Sequence, residues 1–191
     1  MGAHYAWLLW GTGIYTSHQQ TTLRQQIERQ IAHPRFAPVV AHPGKGHGGK
    51  PHPVIPAVHF DEGSAIGIMT IPRIHLNIVV VEGTGTLDLR KGPGHYPGTA
   101  YPWEEHGCVA IAGHRTTYLH PFWALDQLLP GDLIRIDTEF GRFDYRVTGS
   151  QVVLPTETWV ADQTKQPTLV LSACTPKFSA SHRLVVFAAR Q

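Results

Sequence analysis

The fold is constrained most by seven or eight short apolar or alternating segments, separated by turns rich in glycine and proline, in the last two thirds of the chain. Short, regularly spaced strands of this kind are typical of a β-barrel or a β-sandwich. A single helix is indicated among them, with an apolar face of Phe122, Leu125 and Leu128 between two prolines. We therefore predict a mainly β domain of about 130 residues that closes into a barrel with one or two short helices. The predicted strands are 65–71, 77–82, 108–113, 133–137, 142–148, 169–174 and 184–189.

The N-terminal part of the chain has a different composition. Residues 5–15, YAWLLWGTGIY, are apolar and aromatic but fewer than the ~20 residues that cross a bilayer. Because tryptophan and tyrosine favour the membrane interface, we interpret this segment as the outer end of a truncated membrane helix, with a short surface helix as the alternative. Residues 17–31 predict a polar helix with a narrow apolar stripe of Leu23, Ile27 and Ile31.

Residues 33–58 are rich in proline, glycine and histidine, which predicts an extended or flexible tether. Its histidines have no cysteine or carboxylate at a fixed ligand spacing, so we predict no metal site. We therefore divide the chain into an anchor end with a juxtamembrane helix (1–32), a tether (33–58) and a barrel domain with the candidate chemistry (59–191). The net charge of +2 gives no basis for a nucleic-acid partner.

A thiol and a guanidinium are predicted to face one pocket at the ends of two strands. Cys174 ends an apolar run that Thr175-Pro176 stops, and after a short loop Arg183 opens the next run. His114 ends another apolar strand, just before a polar turn. Each of the three has a structural alternative, as an inert buried thiol, a surface histidine or a surface arginine. Together they supply the nucleophile, proton carrier and fixed cation that a thiol-based acyl transfer needs.

These residues resemble the active-site strands of a known family. The strand-end Cys174, Arg183 nine residues later, and the Ala-Gly-His-Arg segment at 112–115 look like those of sortases, membrane-anchored cysteine transpeptidases of Gram-positive bacteria. The order of elements is also similar: a His strand, a helix, a hairpin, a long loop, a Cys strand and an Arg strand. The resemblance extends over residues 64–190, which is the whole predicted barrel domain.

Within that family the chain is most similar to the class E sortases of high-GC Gram-positive bacteria. Pro176, the Ser-Ala-Ser run at 179–181 and the Arg-Leu-Val-Val run at 183–186 carry this similarity. The sequence departs from the usual Thr-Leu-x-Thr-Cys pattern at Ala173, which lacks the threonine hydroxyl beside the thiol. The Asp-Pro-aromatic lid motif of pilin-polymerising sortases does not occur in the sequence, which favours housekeeping wall anchoring over pilus assembly.

The resemblance implies an eight-stranded barrel, in agreement with the strand count, and a mechanism. Cys174 would attack the Thr–Gly carbonyl of an LPxTG-like or LAxTG-like sorting signal, Arg183 would stabilise the oxyanion, and His114 would protonate the leaving amine. An amine of the peptidoglycan precursor would then resolve the thioacyl enzyme and join the surface protein to the wall. Ala112 and Tyr96 are implied to line the peptide groove. No cofactor is implied, and the enzyme would act at the extracellular face of the membrane, held by a single N-terminal anchor.

The family pattern also bears on the second cysteine and on calcium. It makes the Cys108 strand the parallel neighbour of the Cys174 strand, with the two cysteines at opposite ends, so we predict two free thiols. Some sortases hold calcium between acidic loops, and only Glu104-Glu105 suggests such a cluster here. We therefore expect activity that does not depend on calcium.

Two other functions remain open from the sequence. Residues 105–109, EHGCV, resemble the Ser/Thr-His-Gly-Cys core of L,D-transpeptidases, which cross-link peptidoglycan and would here use Cys108. In that comparison Glu105 replaces the Ser/Thr, and Ala110 stands where an arginine is expected. The other possibility is a non-catalytic wall-associated binding module, which would form no thioacyl adduct with a sorting-signal peptide.

Overall fold

The computed structural model of the protein describes residues 12–34 and 58–191. The strands are β1 (Ala65–Ile71), β2 (Leu76–Glu82), β3 (Gly94–His95), β4 (Cys108–Ala112), β5 (Leu133–Thr138), β6 (Gly141–Val153), β7 (Thr168–Thr175) and β8 (His182–Arg190). Two α-helices, α1 (Thr12–Ala32) and α2 (Thr86–Leu89), and three short 3-10 turns (Pro72–Ile74, Leu125–Gln127 and Thr158–Ala161) complete the described elements. The eight strands close into a barrel in the order β1-β2-β3-β4-β7-β8-β6-β5, which confirms the predicted closed barrel.

The β5–β6 hairpin shows why alternating sequences form this barrel. Ile134, Ile136 and Tyr145 point inward and are fully buried. The residues between them face outward, where the guanidinium of Arg135 donates two hydrogen bonds of 2.8 Å to the carboxylate of Asp144. A period of two therefore separates the core from a charged outer face, and the predicted hairpin is confirmed.

Strands β4 and β7 are apolar on both faces because both faces are covered. They pair in parallel from Cys108–Thr168 to Ala112–Ser172. Their inward side chains join the barrel core, whereas their outward side chains pack against β6 and β8. Continuous apolar runs are typical of strands buried in this way. The inward set is Val109, Ile111, Leu169, Leu171 and Ala173, and the outward cluster is Cys108, Val153, Val170 and Val185.

Strand β3 lies within a segment whose glycines and prolines predict a loop. Gly94 and His95 pair in parallel with the end of β2 and antiparallel with the end of β4, so they bridge these two strands. A Cβ on Gly94 would collide with the carbonyl oxygen of Gly83. Glycine is therefore required where the two backbones approach each other.

Helix α1 packs on the outer face of β1 and β2. Its Leu23 and Ile27 are buried against Ile68 and Val79. The buried Gln20 adds polar contacts: its side chain accepts a 2.8 Å hydrogen bond from the Val79 N–H and donates 3.0 Å to the Val79 carbonyl. The predicted helix over 17–31 is confirmed and is longer at its N-terminal end.

Two predictions for the N-terminal region fall mostly on residues that are not described. The anchor end before residue 12 and positions 35–57 of the tether lie outside the described residues. Within residues 12–34 and 58–191, no helix combines the length and apolar character needed to span a membrane.

The α-helix predicted between Pro121 and Leu129 is wrong. This segment consists of turns and the 3-10 turn Leu125–Gln127. Its N–H groups bond three residues back, as in the bonds from Leu125 to the Phe122 carbonyl and from Gln127 to the Ala124 carbonyl. Apolar residues three apart suit this geometry as well as an α-helix, because 3-10 turns bring positions i and i+3 onto one side.

Candidate active site

The β7–β8 hairpin places Cys174 opposite Arg183. Cys174 and Arg183 are Cα partners across the antiparallel pair. Ala173 on one side and Leu184 on the other are buried in the barrel core. Because side chains alternate along a strand, Cys174 and Arg183 both point outward at the rim of the barrel. Both are half-buried, and the thiol of Cys174 is free.

Arg183 also holds the loop that joins the two strands. Its Nη1 donates hydrogen bonds of 3.0 Å to the Ala180 carbonyl and 3.1 Å to the His182 carbonyl. A guanidinium has five N–H donors in a fixed plane. The loop contacts therefore orient the group while its remaining N–H donors can serve a developing oxyanion.

The parallel β4–β7 register brings His114 to the same end of the barrel. Ala112 pairs with Ser172, and the next N–H, that of Gly113, donates a 3.0 Å hydrogen bond to the Ser172 carbonyl. His114 and Cys174 each lie two residues beyond this last pair. Both residues therefore lie at the same end of the barrel, just past the last paired positions.

The backbone at His114 is fixed by the following loop. The Phe122 N–H donates a 3.1 Å hydrogen bond to the His114 carbonyl, and Phe122 is fully buried. The Phe122 ring packs so closely on Gly113 that a Cβ there would lie 2.5 Å from it. An alanine at position 113 would push the ring aside and move the histidine with it.

The surroundings of His114 favour its neutral form. Its ring centroid lies 4.8 Å from that of Tyr118, and the guanidinium of Arg90 lies 5.8 Å from the Tyr118 ring. Burial, and secondly the positive charge of Arg90, lower the pKa of His114. Both effects disfavour the imidazolium, so only a minor fraction of His114 is protonated at neutral pH.

The polar turn predicted after His114 contains a buried arginine that sequence reasoning missed. Arg115 is only 5% exposed, and its Nη2 lies 3.0 Å from the Asp126 carboxylate. Its Nε donates a 3.3 Å hydrogen bond to the Trp123 carbonyl. The ammonium of Lys177 lies over the Trp123 ring, 4.0 Å from its centroid. This cation–π contact connects the loop after His114 to the loop between β7 and β8. The basic residue after the histidine was visible in the sequence, but its distant carboxylate partner was not.

A groove of about 250 Å³ runs along the outer face toward this end. Its floor includes Val170 and Ser172 of β7, and Cys174 is the next outward residue on that strand. Tyr96, one of the two predicted groove residues, lines it, with its hydroxyl 3.4 Å from the Ser172 Oγ. Other lining residues include Ala110, Leu154, Glu157, Val160 and Arg183. The second predicted groove residue, Ala112, is buried one outward position beyond Ala110 on β4.

Cys108 lies at the opposite end of the same pair of strands. It pairs with Thr168, six residues before Cys174, and is 1% exposed. Burial raises the pKa of the Cys108 thiol. The Gln163 side chain accepts a hydrogen bond from the Cys108 N–H (3.1 Å) and donates one to its carbonyl (3.2 Å), and Cys108 belongs to the apolar cluster with Val153, Val170 and Val185. The predicted parallel arrangement with two free thiols is confirmed, and the environment of Cys108 does not suit a nucleophile.

Acidic, histidine and cysteine side chains do not form a metal centre in the part of the chain that the structure describes. Of the Glu104-Glu105 pair, Glu104 accepts a 3.0 Å hydrogen bond from the Tyr101 N–H.

Comparison with known proteins decides the family. The sortase-domain family model matches residues 69–191, which include Cys174, His114 and Arg183. The chain belongs to the sortase family. Sortase D of Bacillus subtilis (strain 168) is 35% identical over 117 residues, covering 61% of this chain and 57% of that protein. The chain spans about half the length of the curated sortases it matches, 41% to 58%.

Solved sortase structures share the barrel. A Clostridium perfringens Sortase D5 transpeptidase superposes with a TM-score of 0.64 and 31% identity, covering 70% of this chain and 82% of that one. Sortase E from Streptomyces avermitilis gives a TM-score of 0.62 and 35% identity, covering 69% and 91% respectively. Because sortases D and E match about equally well, the resemblance to class E stays a proposal.

We predict that the two thiols differ sharply in reactivity. In the folded protein, iodoacetamide should alkylate Cys174 and leave Cys108 unmodified, because Cys108 is buried and its raised pKa keeps it protonated. Peptide mapping by mass spectrometry at neutral pH measures this directly. Unfolding in guanidinium is the control and should expose both sites. Equal labelling of both cysteines in the folded protein would contradict the assignment of Cys174 as the reactive thiol.

Proposed function

We propose that this sortase is a cysteine transpeptidase, within the hydrolase class, that cleaves an LPxTG-like or LAxTG-like sorting signal between threonine and glycine. The observation that supports this best is the meeting of three strand ends at one rim. Cys174 and Arg183 are cross-strand partners there, and His114 and Cys174 each lie two residues beyond the last β4–β7 pair. The groove floor on β7 leads to the same rim.

In the first half-reaction the sorting signal lies in the groove with its Thr–Gly carbonyl at the thiol. The Cys174 thiolate forms an S–C bond to that carbonyl, and Arg183 donates hydrogen bonds to the oxyanion. As the intermediate collapses, the C–N bond breaks and His114 gives its proton to the departing glycine amine. The products are a thioacyl enzyme and a free glycine-led peptide.

In the second half-reaction an amine of the peptidoglycan precursor attacks the thioester. His114, now neutral, accepts a proton from the amine, the S–C bond breaks, and Cys174 leaves as a thiolate. The surface protein is thereby joined to the wall precursor through a new amide bond. We place this reaction at the extracellular face of the membrane, with residues 1–32 supplying the anchor end and α1, 33–58 the tether, and 59–191 the catalytic barrel.

The two competing functions lack comparable support. The L,D-transpeptidase mechanism would need Cys108 as nucleophile, and this thiol is buried with its pKa raised. A non-catalytic binding module gives no reason for a free thiol, an arginine and a histidine to share the rim.

We further propose that the enzyme is of the class E, housekeeping type, and that Ala112 and Tyr96 contribute to peptide binding.

We predict a thioacyl adduct on Cys174 when the protein is incubated with LAxTG and LPxTG peptides without an amine acceptor. Intact-mass and peptide-mapping mass spectrometry would detect it. Cys174→Ala should lose the adduct, and turnover should fall about 10³-fold or more, because the proposed acyl intermediate forms on the Cys174 sulfur.

Cys108→Ala is the matched control and should keep both adduct and turnover, since this thiol has only a packing role. An active Cys174→Ala variant together with an inactive Cys108→Ala variant would transfer the function to the L,D-transpeptidase class. No adduct with any sorting peptide would favour the binding module.

We predict that Arg90→Met raises kcat/KM at neutral pH. The reaction needs a thiolate and an imidazolium together, and thiols ordinarily ionise at higher pH than imidazoles. In the profile of kcat/KM against pH, the acid-side bend then reports the pKa of His114. The plateau value of kcat/KM rises with the fraction of His114 that is imidazolium. Removing the Arg90 charge raises that pKa, so the bend should move to higher pH and the plateau should rise with it.

The pH–rate profile of kcat/KM and an NMR titration of the His114 ring measure this pair of effects. Arg73→Met, at an exposed arginine of the turn Pro72–Ile74, is the control and should change neither. A bend that stays in place or moves to lower pH in Arg90→Met would show that Arg90 does not set the protonation of His114.

A further inference from the structure

A fully buried histidine–glutamate pair lies behind the groove and has no part in the chemistry proposed above. His95, in β3, is 0% exposed, and Glu82, at the end of β2, is 4% exposed. The Nδ1 of His95 lies 2.9 Å from the Glu82 carboxylate. A buried ionisable pair is stable only when its hydrogen bonds are complete, so the partners of both groups show what the pair does.

The contacts of the other ring nitrogen of His95 show which of its atoms carries a hydrogen. Nε2 of His95 lies 3.0 Å from the Ala100 carbonyl and 3.0 Å from the Thr99 Oγ1. A carbonyl oxygen only accepts, so Nε2 carries a hydrogen. The Thr99 hydroxyl donates its own hydrogen to the Tyr96 carbonyl at 2.8 Å, and therefore accepts from His95.

A second proton must then lie between Nδ1 and Glu82. Without it, two acceptors would face each other at 2.9 Å in a dry site, which is a costly arrangement. With it the pair has no net charge, whether the proton is nearer to His95 or to Glu82. Tyr101 also covers the pair, because its ring stacks on that of His95 with 4.6 Å between the centroids. Burial, followed by the charge of Glu82, raises the pKa of Tyr101 to about 12.

The pair ties down the turn that carries Tyr96. The turn begins directly after His95 and returns through Thr99 and Ala100, the two residues that Nε2 contacts. Two hydrogen bonds attach the same turn to β4, one from the Tyr96 N–H to the Ala110 carbonyl (2.9 Å) and one from the Ala110 N–H to the side-chain Oγ1 of Thr99 (3.3 Å). Tyr96 and Ala110 both line the groove. The position of this groove wall therefore depends on hydrogen bonds that meet at His95.

We propose that Glu82 and His95 are positioning residues for substrate binding, which act through the turn 96–100 to hold Tyr96 in the groove. This inference rests on the proposed function, since it assigns the groove to the sorting peptide. Neither residue touches the reacting atoms. Loss of the pair should therefore weaken binding of the peptide and leave the chemical step largely unchanged.

Glu82→Leu and Glu82→Gln form a matched pair of variants. Leucine removes every hydrogen bond to Nδ1, whereas a glutamine amide can donate to a neutral Nδ1 and still accept a hydrogen bond. We expect Glu82→Leu to raise KM about tenfold, the effect of one buried unsatisfied group, with kcat within about threefold. Glu82→Gln should keep both KM and kcat within about twofold of the wild-type values.

Two further variants separate positioning from general loss of stability. Thr99→Val keeps the Glu82–His95 bond but removes the hydroxyl that His95 and Ala110 share, and should raise KM about threefold. Ile134→Ala, in the core on β5, should lower the melting temperature without raising KM. If Glu82→Leu does not fold, Thr99→Val carries the same test.

Epistasis with Tyr96 decides whether the pair acts through the groove wall. In a Tyr96→Ala background, Glu82→Leu should add nothing more to KM, because the side chain it positions is gone. Peptide Kd measured by fluorescence anisotropy in the inactive Cys174→Ala background should follow the same pattern. Faster hydrogen exchange at the Tyr96 amide in Glu82→Leu gives a readout that requires no activity.

Several results would overturn the inference while the proposed function stands. These are an unchanged KM and Kd in folded Glu82→Leu, equal effects of leucine and glutamine at position 82, or full additivity with Tyr96→Ala. If wild type turns over no sorting peptide and binds none, the proposed function fails instead. Amide exchange then still reports whether the pair holds the turn.

Discussion

The parallel pairing of β4 with β7 is the interaction on which the rest of the site depends. Five consecutive Cα pairs, from Cys108–Thr168 to Ala112–Ser172, fix how far each strand has advanced when it reaches the rim of the barrel. A slip of one residue would turn every side chain to the opposite face. Since both faces of both strands are packed, such a slip would place each side chain in a position that fits a different one, with clashes and cavities on both faces. The packing that stabilises the barrel therefore also sets the relation between His114 and Cys174.

The environment at the two ends of this strand pair explains why one thiol is suited to chemistry and the other is not. Cys108 is buried in an apolar cluster with Val153, Val170 and Val185, and burial raises its pKa. Cys174 is half-buried at the opposite end, and its cross-strand partner on β8 is Arg183. Solvent access and nearby positive charge favour a reactive thiolate, whereas apolar burial disfavours it. The two thiols therefore differ in accessibility and expected reactivity because they lie at opposite ends of the strand pair.

The strands could be predicted from the sequence because period-two alternation and apolar runs are local signals. The positions of Cys174, His114 and Arg183 at strand ends followed from the same signals. Strand β3 was missed because two residues carry no periodicity. The burial of Arg115 depends on Asp126, eleven residues later, and the pairing of His95 with Glu82 depends on β2 and β3 becoming neighbours. Contacts of this kind arise only from the closed topology. Site residues at strand ends are therefore easier to predict from sequence than the buried polar partners that position them.

Disulfide trapping measures the register at the active site most directly. In a Cys108→Ala background, we expect His114→Cys to form a disulfide with Cys174 under mild oxidation, since adjacent strand positions lie within disulfide reach. Ala110→Cys is the control: it pairs with Val170, four residues and about 13 Å before Cys174, and should stay reduced. Peptide mapping that finds a 114–174 bond and no 110–174 bond supports the account. Two free thiols in the His114→Cys variant, or a bond from position 110, would contradict it.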